Sequence, residues 1–262
     1  MIPTLGQRLD YLREALISIR EQSIPADITV VTPVSAVQAR ILAAEFDCVI
    51  LDDPGSLPAA INLGVSQSQP HHVYVNWLGD DDLLTPCSLE FTITALKANA
   101  SAVVSYGGCR YIDDRGNELW VSRAGKWADR ILSWGPDLIP QPGMLIRLSA
   151  WREVSGLDQS LSHAFDLDLL LKLKKQGEFT PVDQVVSCFR WHPESLTVSD
   201  RTKSLDESEL IKRRYLSPNQ TRMKWIWEKP IRVVTRIAAG RLNKRVLGTG
   251  DYQWVRNQSS YD

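Results

Sequence analysis

Apolar residues along the first hundred positions switch between a helical spacing and short unbroken runs. Leu9, Leu12, Leu16 and Ile19 recur on one helical face, with Arg13, Glu14 and Arg20 opposite, and Ser23-Ile24-Pro25 stops the pattern. Residues 28–31 form a short apolar run rich in β-branched side chains, which predicts a buried strand. A second helix over 37–46, a strand over 48–51, a turn at Asp52-Asp53-Pro54-Gly55 and a helix over 57–65 follow. Residues 73–78 read as the third strand, ending in Gly79-Asp80-Asp81-Asp82. Thr85 as N-cap and Pro86 at the first helical position predict the next helix, with Leu89, Ile93 and Leu96 as its stripe, before a strand over 102–106. This alternation predicts an α/β fold with a mainly parallel, Rossmann-like central sheet covered by helices on both faces. Such sheets bind ligands beyond the carboxyl ends of their strands, where Asp80, Asp81 and Asp82 lie.

Beyond Tyr106 the periodicity changes. Residues 111–120 read as two short strands around a turn, and 126–142 as irregular, with Trp127 and Trp134. A strand over 144–147, a helix over 165–176 closed by Gly177 and a strand over 185–190 complete the pattern. No internal repeat interrupts it.

Composition narrows the class. A chain of 262 residues that is 44% hydrophobic can bury the core of one sizeable α/β domain. The net charge of -1 gives no reason to expect nucleic acid as a partner. Cys48, Cys87, Cys109 and Cys188 form no CxxC pair, as expected of small hydrophobes in a reducing compartment. The N-terminus lacks a signal-peptide core, and no apolar run reaches the ~18 residues of a spanning helix. A cytoplasmic protein is therefore expected.

Three segments carry candidate chemistry. Carboxylates near a helix N-terminus are favoured by its dipole alone, but three at the end of a buried strand repel one another unless a cation is present. Oxygen-rich sites suit Mg2+ or Mn2+ with a diphosphate as the complementary ligand. Asp166 and Asp168 open an otherwise apolar helix. One fits a role at the helix start, whereas a partly desolvated carboxylate there suits a general base. Residues 189–197 cluster Arg190, His192 and Ser195, with His192 a candidate metal ligand and Arg190 a candidate phosphate contact.

In this order the segments resemble the family 2 glycosyltransferases, which have the GT-A fold. Ile2-Pro3-Thr4 with the helix from Tyr11 to Ile19 and Gln22 resembles the family's opening. Ala60-Ile61-Asn62-Leu63-Gly64 resembles its A-x-N-x-G, and Gly79-Asp80-Asp81-Asp82 its D-x-D segment. Gln141-Pro142-Gly143-Met144 with Arg147, then Gly156-Leu157-Asp158, resembles the acceptor-side half. Phe165-Asp166-Leu167-Asp168-Leu169 resembles its acidic helix start, and Arg190-x-His192-x-x-Ser195 its closing motif. The match spans roughly residues 2 to 200, far more than one short pattern. The resemblance implies an inverting, metal-dependent transfer from a nucleotide-diphosphate sugar to a hydroxyl of a glycan or lipid-linked acceptor, in cell-surface polysaccharide or lipopolysaccharide assembly. It implies Asp166 as catalytic base, Asp81 and His192 at a divalent Mn2+ or Mg2+ ion, and Pro3, Thr4, Asn62, Asp80 and Arg190 around the nucleotide sugar. Residues 1–106 would form the nucleotide-sugar-binding half of the domain, 107–217 the acceptor-binding half, and 218–262 a basic, Trp-containing helical tail.

The sequence also departs from the family. Val30-Val31-Thr32-Pro33 lacks the Asp that usually follows the second strand, leaving Asp52 or Asp53 for a base contact. Gly79 replaces the first Asp of D-x-D. The first strand is reduced to the Ile2-Pro3-Thr4 segment, and a trimmed sheet edge there would weaken nucleotide binding. These losses suit an alternative, a non-catalytic sugar-nucleotide or glycan-binding subunit, while retention of Asp80, Asp81, Asp166 and His192 favours the enzyme. A nucleotidyltransferase would need a richer phosphate loop than Thr4-Leu5-Gly6-Gln7-Arg8 provides. In the tail, residues 222–245 hold eight Lys/Arg and one acid, with Trp225 and Trp227 ahead of an apolar helical face. They read either as a solvated helix packed on the domain or as a peripheral membrane contact on the inner face of the cytoplasmic membrane.

Overall fold

The computed structural model describes residues 1–123, 128–133, 135, 137–192 and 201–216, with the isolated positions 222, 226, 230 and 233. Strands β1 (Ile2–Pro3), β2 (Thr29–Thr32) and β3 (Val49–Asp52) pair in parallel, in that spatial order. Helices α1 (Leu9–Arg20) and α2 (Val37–Glu45) are their crossovers, and α3 (Leu57–Ser66) leads on from β3. A second sheet contains β4 (Tyr74–Val75), β5 (Leu83–Leu84), β6 (Ala102–Ile112), β7 (Glu118–Ser122), β8 (Leu145–Arg147) and β9 (Glu178–Arg190). Its order is β4-β8-β6-β9-β5, with β7 on the distal part of β6. The long β6 and β9 run parallel, and the other pairs are antiparallel. The Met1 amino group donates to the Asn76 carbonyl at 2.9 Å and the Leu78 N–H to the Met1 carbonyl at 3.0 Å, which joins the two sheets.

Apolar periodicity explains the layers. Leu12, Ala15, Leu16 and Ile19 of α1 are buried with Ile2, Val30, Leu42 and Leu96 in a cluster on one side. Ile61 and Val65 of α3 pack with Trp77, Val104, Tyr106, Ile146 and Trp151 in a second cluster. That second cluster also takes in α7 (Phe165–Leu173), whose Leu167, Leu169, Leu170, Leu171 and Leu173 are all buried. A helix apolar around most of its circumference must be covered on most sides. Full burial of each such side chain stabilises by about 1.5–3 kcal/mol before entropy is counted. Helices α4 (Ser88–Ala98), α5 (Ala128–Ile131), α6 (Leu148–Glu153) and α8 (Arg201–Tyr215) complete the described elements.

Several expectations shift. The helix after the acidic run starts at Ser88, not at Thr85 and Pro86. Thr85 instead extends the β5–β9 pairing: its N–H donates to the Val186 carbonyl at 3.2 Å and its hydroxyl to the Val185 carbonyl at 2.6 Å. Strand pairing therefore engages the residue that local spacing assigns to a cap. The two-residue β1 ends the three-stranded sheet, paired with β2 on one side, while Met1 just ahead of it bonds residues 76 and 78 on the other. Strand β6 runs through residue 106, so the two halves of the domain share a strand. Trp127, Trp134 and Ser195, and the tail beyond 216 apart from the isolated positions, lie outside the described residues.

Candidate active site

A cleft of about 810 Å³ gathers side chains from widely separated parts of the chain. Pro3, Thr4, Arg8 and Val31 come from β1, the loop after it and β2; Asp53 and Ser56 follow β3. Asp80, Asp81 and Asp82 come from the turn after Leu78, and Asp137, Gln141, His163 and Asp166 from the later half. Asp81 and Asp166, expected on opposite sides of a transfer reaction, thus share one cleft.

The strand-end acids form a dense network. Gly79 permits it: a Cβ there would lie 2.7 Å from Asp81 Oδ1 and 3.0 Å from Asp82 Oδ2. The family's missing first Asp therefore leaves space that the following two carboxylates occupy. The Thr4 hydroxyl donates to Asp80 Oδ2 at 2.5 Å. The Arg8 guanidinium donates to Asp80 Oδ1 at 3.1 Å and to Asp81 Oδ2 at 3.3 Å. His192 Nε2 lies 2.7 Å from the same Asp81 oxygen. Asp82 Oδ1 accepts the Arg190 N–H at 3.0 Å.

These environments split three identical side chains. Burial and the Asp81 charge raise the Asp80 pKa, against the opposing pull of Thr4 and Arg8. Asp82 is pushed well up by burial and by Asp81. Burial works on Asp81 in the same direction, but His192 and Arg8 together outweigh it and hold Asp81 below the usual carboxylate range. Asp81 is thus the member of the run whose ionised form its surroundings favour. Its oxygen beside an imidazole nitrogen is a donor set suited to a divalent ion such as Mn2+.

Arg190 does not reach the cleft. It is 1% exposed, and its Nε–H donates to the Asp81 carbonyl at 3.0 Å. Its Nη1 donates to the carbonyls of Asp113 and Asp114, both at 3.3 Å, and its Nη2 to Glu14 Oε2 at 2.5 Å. The guanidinium also lies 4.2 Å from the Tyr11 ring centroid. With its donors engaged, Arg190 braces the acidic turn and is not aimed at phosphate. Asn62 is likewise absent from the cleft wall: its amide donates to the Leu157 carbonyl and its Oδ1 accepts the Leu157 N–H, both at 2.9 Å. It clamps α3 to the turn at Gly156, whose φ of +65° suits glycine. Of the acids proposed to replace the absent base contact, Asp53 lines the cleft, whereas Asp52 pairs with Arg40 at 2.9 Å.

The acceptor-side acids differ. Asp166 lines the cleft, and its carboxylate accepts from backbone at the helix start, from the adjacent Leu167 N–H at 2.8 Å and from its own N–H. Burial pushes Asp166 up to about 6. Asp137 is pushed up to about 7 by the protein crowded behind it and by the Asp166 charge, although its own side chain faces water in the cleft. Asp168 points elsewhere, to Lys172 Nζ at 2.8 Å and the Tyr215 hydroxyl at 2.9 Å. It ties α7 to α8. From α8, Glu207 accepts the N–H groups of Ser162, His163 and Ala164 at 3.1, 2.6 and 2.7 Å, holding the loop that enters α7.

Sequence spacing missed Arg8, Asp137 and Glu207, because each acts on residues at least 29 positions away with no motif to announce it. It also missed an aromatic wall in which Tyr111 lies 5.5 Å from Phe189 and 6.2 Å from Trp191, ring centroid to centroid. The alternation of β6 against β9 was the available signal. Among the described residues, Asp27, His71 and His72 form a separate cluster. His72 Nδ1 accepts the Gln69 N–H at 2.9 Å, so Nε2 carries the proton and donates to Asp27 at 2.6 Å. Hydrogen bonding already satisfies that pair. No helix among the described residues is long and apolar enough to cross a membrane.

No protein-family model matches the chain. A chondroitin synthase of Escherichia coli is 26% identical over 174 residues, 60% of this chain and about a quarter (24%) of the synthase. Among solved structures, S. aureus TarS 1–349 in complex with UDP-GlcNAc superposes with a TM-score of 0.59 at 13% identity, over 80% of this chain and 64% of TarS. The mannosyltransferase PcManGT from Pyrobaculum calidifontis, in complex with GDP-Man and Mn2+, gives a TM-score of 0.62 at 13% identity, over 99% and 77% of the two chains. With its α/β architecture, strand-end acids and cleft, the chain has the GT-A fold and is similar to the family 2 glycosyltransferases.

Proposed function

We propose that this chain is an inverting glycosyltransferase that moves a sugar from a nucleotide-diphosphate donor to a hydroxyl acceptor. The observation that carries this reading is the meeting, in one cleft, of an ionised Asp81 and an Asp166 whose pKa is raised to about 6. A base poised near the operating pH is ionised yet still basic enough to take a proton. The acceptor hydroxyl attacks the anomeric carbon on the face opposite the diphosphate, and Asp166 removes its proton. Thr4 and Pro3 border the nucleotide, Asp53 takes the base contact, and Asp80 turns to the ribose or the cation. A divalent ion held by Asp81 and His192 would offset the charge that grows on the leaving diphosphate. Tyr111, Phe189 and Trp191 give the sugar rings apolar faces to pack on.

The nucleotide sugars and Mn2+ carried by TarS and PcManGT support a donor and cofactor of this kind. A thermal-shift panel of UDP, GDP, dTDP and CMP sugars, with and without Mn2+, tests it. Selective stabilisation by one nucleotide in the presence of Mn2+ is expected, and no response to any of them overturns the reading. Anomeric analysis of the product then tests inversion.

A cytoplasmic role in cell-surface polysaccharide assembly, with a glycan or lipid-linked acceptor, follows from the same reading. The eight Lys/Arg of residues 222–245, beside Trp225 and Trp227, suit attachment to an anionic membrane surface. Flotation of the full chain with anionic liposomes, compared with a version ending near Ser217, decides this. Equal flotation of the two removes the membrane contact.

A further inference from the structure

We propose that Arg8 is a built-in, exchangeable counter-ion that holds the donor-side acids in place of the divalent cation and competes with it. This rests on reading Asp81 and His192 as the cation's ligands.

Arg8 fills the space that the cation would need. Its guanidinium donates to Asp80 Oδ1 at 3.1 Å and to Asp81 Oδ2 at 3.3 Å, the oxygen that His192 Nε2 faces at 2.7 Å. Arg8 Nη1 lies 2.9 Å from His192 Nε2 and 3.5 Å from Nδ1, so it sits against the ring between the imidazole and the two carboxylates. A metal ion held by the imidazole nitrogen and the Asp81 oxygen would have to displace it.

Two further observations make Arg8 the group that yields. Its Nε–H is buried without a partner, so the guanidinium is incompletely satisfied where it lies. Arg8 also precedes the first residue of α1, where the helix dipole disfavours a cation and favours an anion. The carboxylates hold it against that field. An arriving diphosphate offers the guanidinium charge-assisted bonds of its own, and the carboxylates then pass to the metal. Arg8 thereby makes metal binding weak in the free protein and strong once nucleotide is present.

The test is Mn2+ titration followed by the electron paramagnetic resonance of the free ion, without substrate turnover. The samples are wild type, Arg8→Ala, the less disruptive Arg8→Gln, and Arg8→Ala combined with Asp81→Asn. Removing one partly screened unit charge at about 4 Å should tighten Mn2+ binding by about tenfold or more in both single variants. The added Asp81→Asn should abolish the gain. In wild type, UDP or GDP should tighten Mn2+ binding, and this coupling should shrink in the Arg8 variants. Unchanged or weaker Mn2+ binding by a folded Arg8→Ala or Arg8→Gln overturns the proposal. The two readings fail separately. If neither nucleotide stabilises the wild type with Mn2+ but the Arg8 variants gain affinity, sugar transfer fails and the counter-ion stands. If nucleotides bind and the variants gain nothing, only the counter-ion falls.

Discussion

The cleft has two acidic ends, and they are built in opposite ways. At the donor end, Asp80, Asp81 and Asp82 are bonded by Thr4, Arg8, His192 and the Arg190 N–H. At the acceptor end, Asp166 accepts from backbone N–H groups at its own helix start, and Asp137 accepts the Ile139 N–H at 3.0 Å. Dense partnering keeps Asp81 charged, whereas sparse partnering and burial leave Asp166 near neutrality in its pKa. On the proposed reading, the same residue type would hold positive charge at one end and move a proton at the other.

Three substitutions, read in four tests, probe this contrast. The largest effect belongs to Asp166→Asn. Turnover should fall about 100- to 10,000-fold with nucleotide binding intact, as measured by kinetics beside thermal shift. Residual activity near wild type would erase the division of labour.

Arg190→Met tests the brace beneath the donor end. It strips donors from the Asp81, Asp113 and Asp114 carbonyls and leaves Glu14 alone, at a cost of about 3 kcal/mol, or roughly 6–12 °C in Tm. A variant of unchanged Tm that had lost only nucleotide affinity would return Arg190 to the role of a phosphate contact.

The third test uses pH. The Asp166 carboxyl binds its proton more tightly folded, at about 6, than unfolded, at about 3.9. Between those values the native state holds more protons, so wild-type stability falls as pH rises. Asp166→Asn lacks this loss. Denaturant titrations should find the variant more stable than wild type above pH 6 and the two converging below pH 4. A variant less stable at pH 8 would mean the carboxylate is favourably held.

The smallest effect is expected for Asn62→Ala. Losing both bonds to Leu157 should cost about 1–2 kcal/mol by denaturant titration, with nucleotide affinity unchanged.

Much of this was legible from spacing alone. The α1 stripe, the runs that became β2 and β3, and the position of Asp80 and Asp81 beyond a strand follow from local periodicity. Asp166 was legible because two acids in a leucine-rich helix need a reason. Non-local bonds were not. Asn62 and Arg190 carry family-like motifs, yet their functional groups are engaged by backbone 95 and 109 residues away, and no local pattern reports such partners. Arg8 had no motif value at all until folding set it against Asp80 and Asp81.

The Glu207 bonds bear on how the protein is made. A ribosome that has released the first 190 residues has already supplied all the carboxylates of the cleft, but not the carboxylate that gathers three N–H groups ahead of α7. Synthesis therefore releases every carboxylate of the cleft before the one that holds the loop into α7. In the finished molecule those three N–H groups keep their shared acceptor only while α8 stays docked.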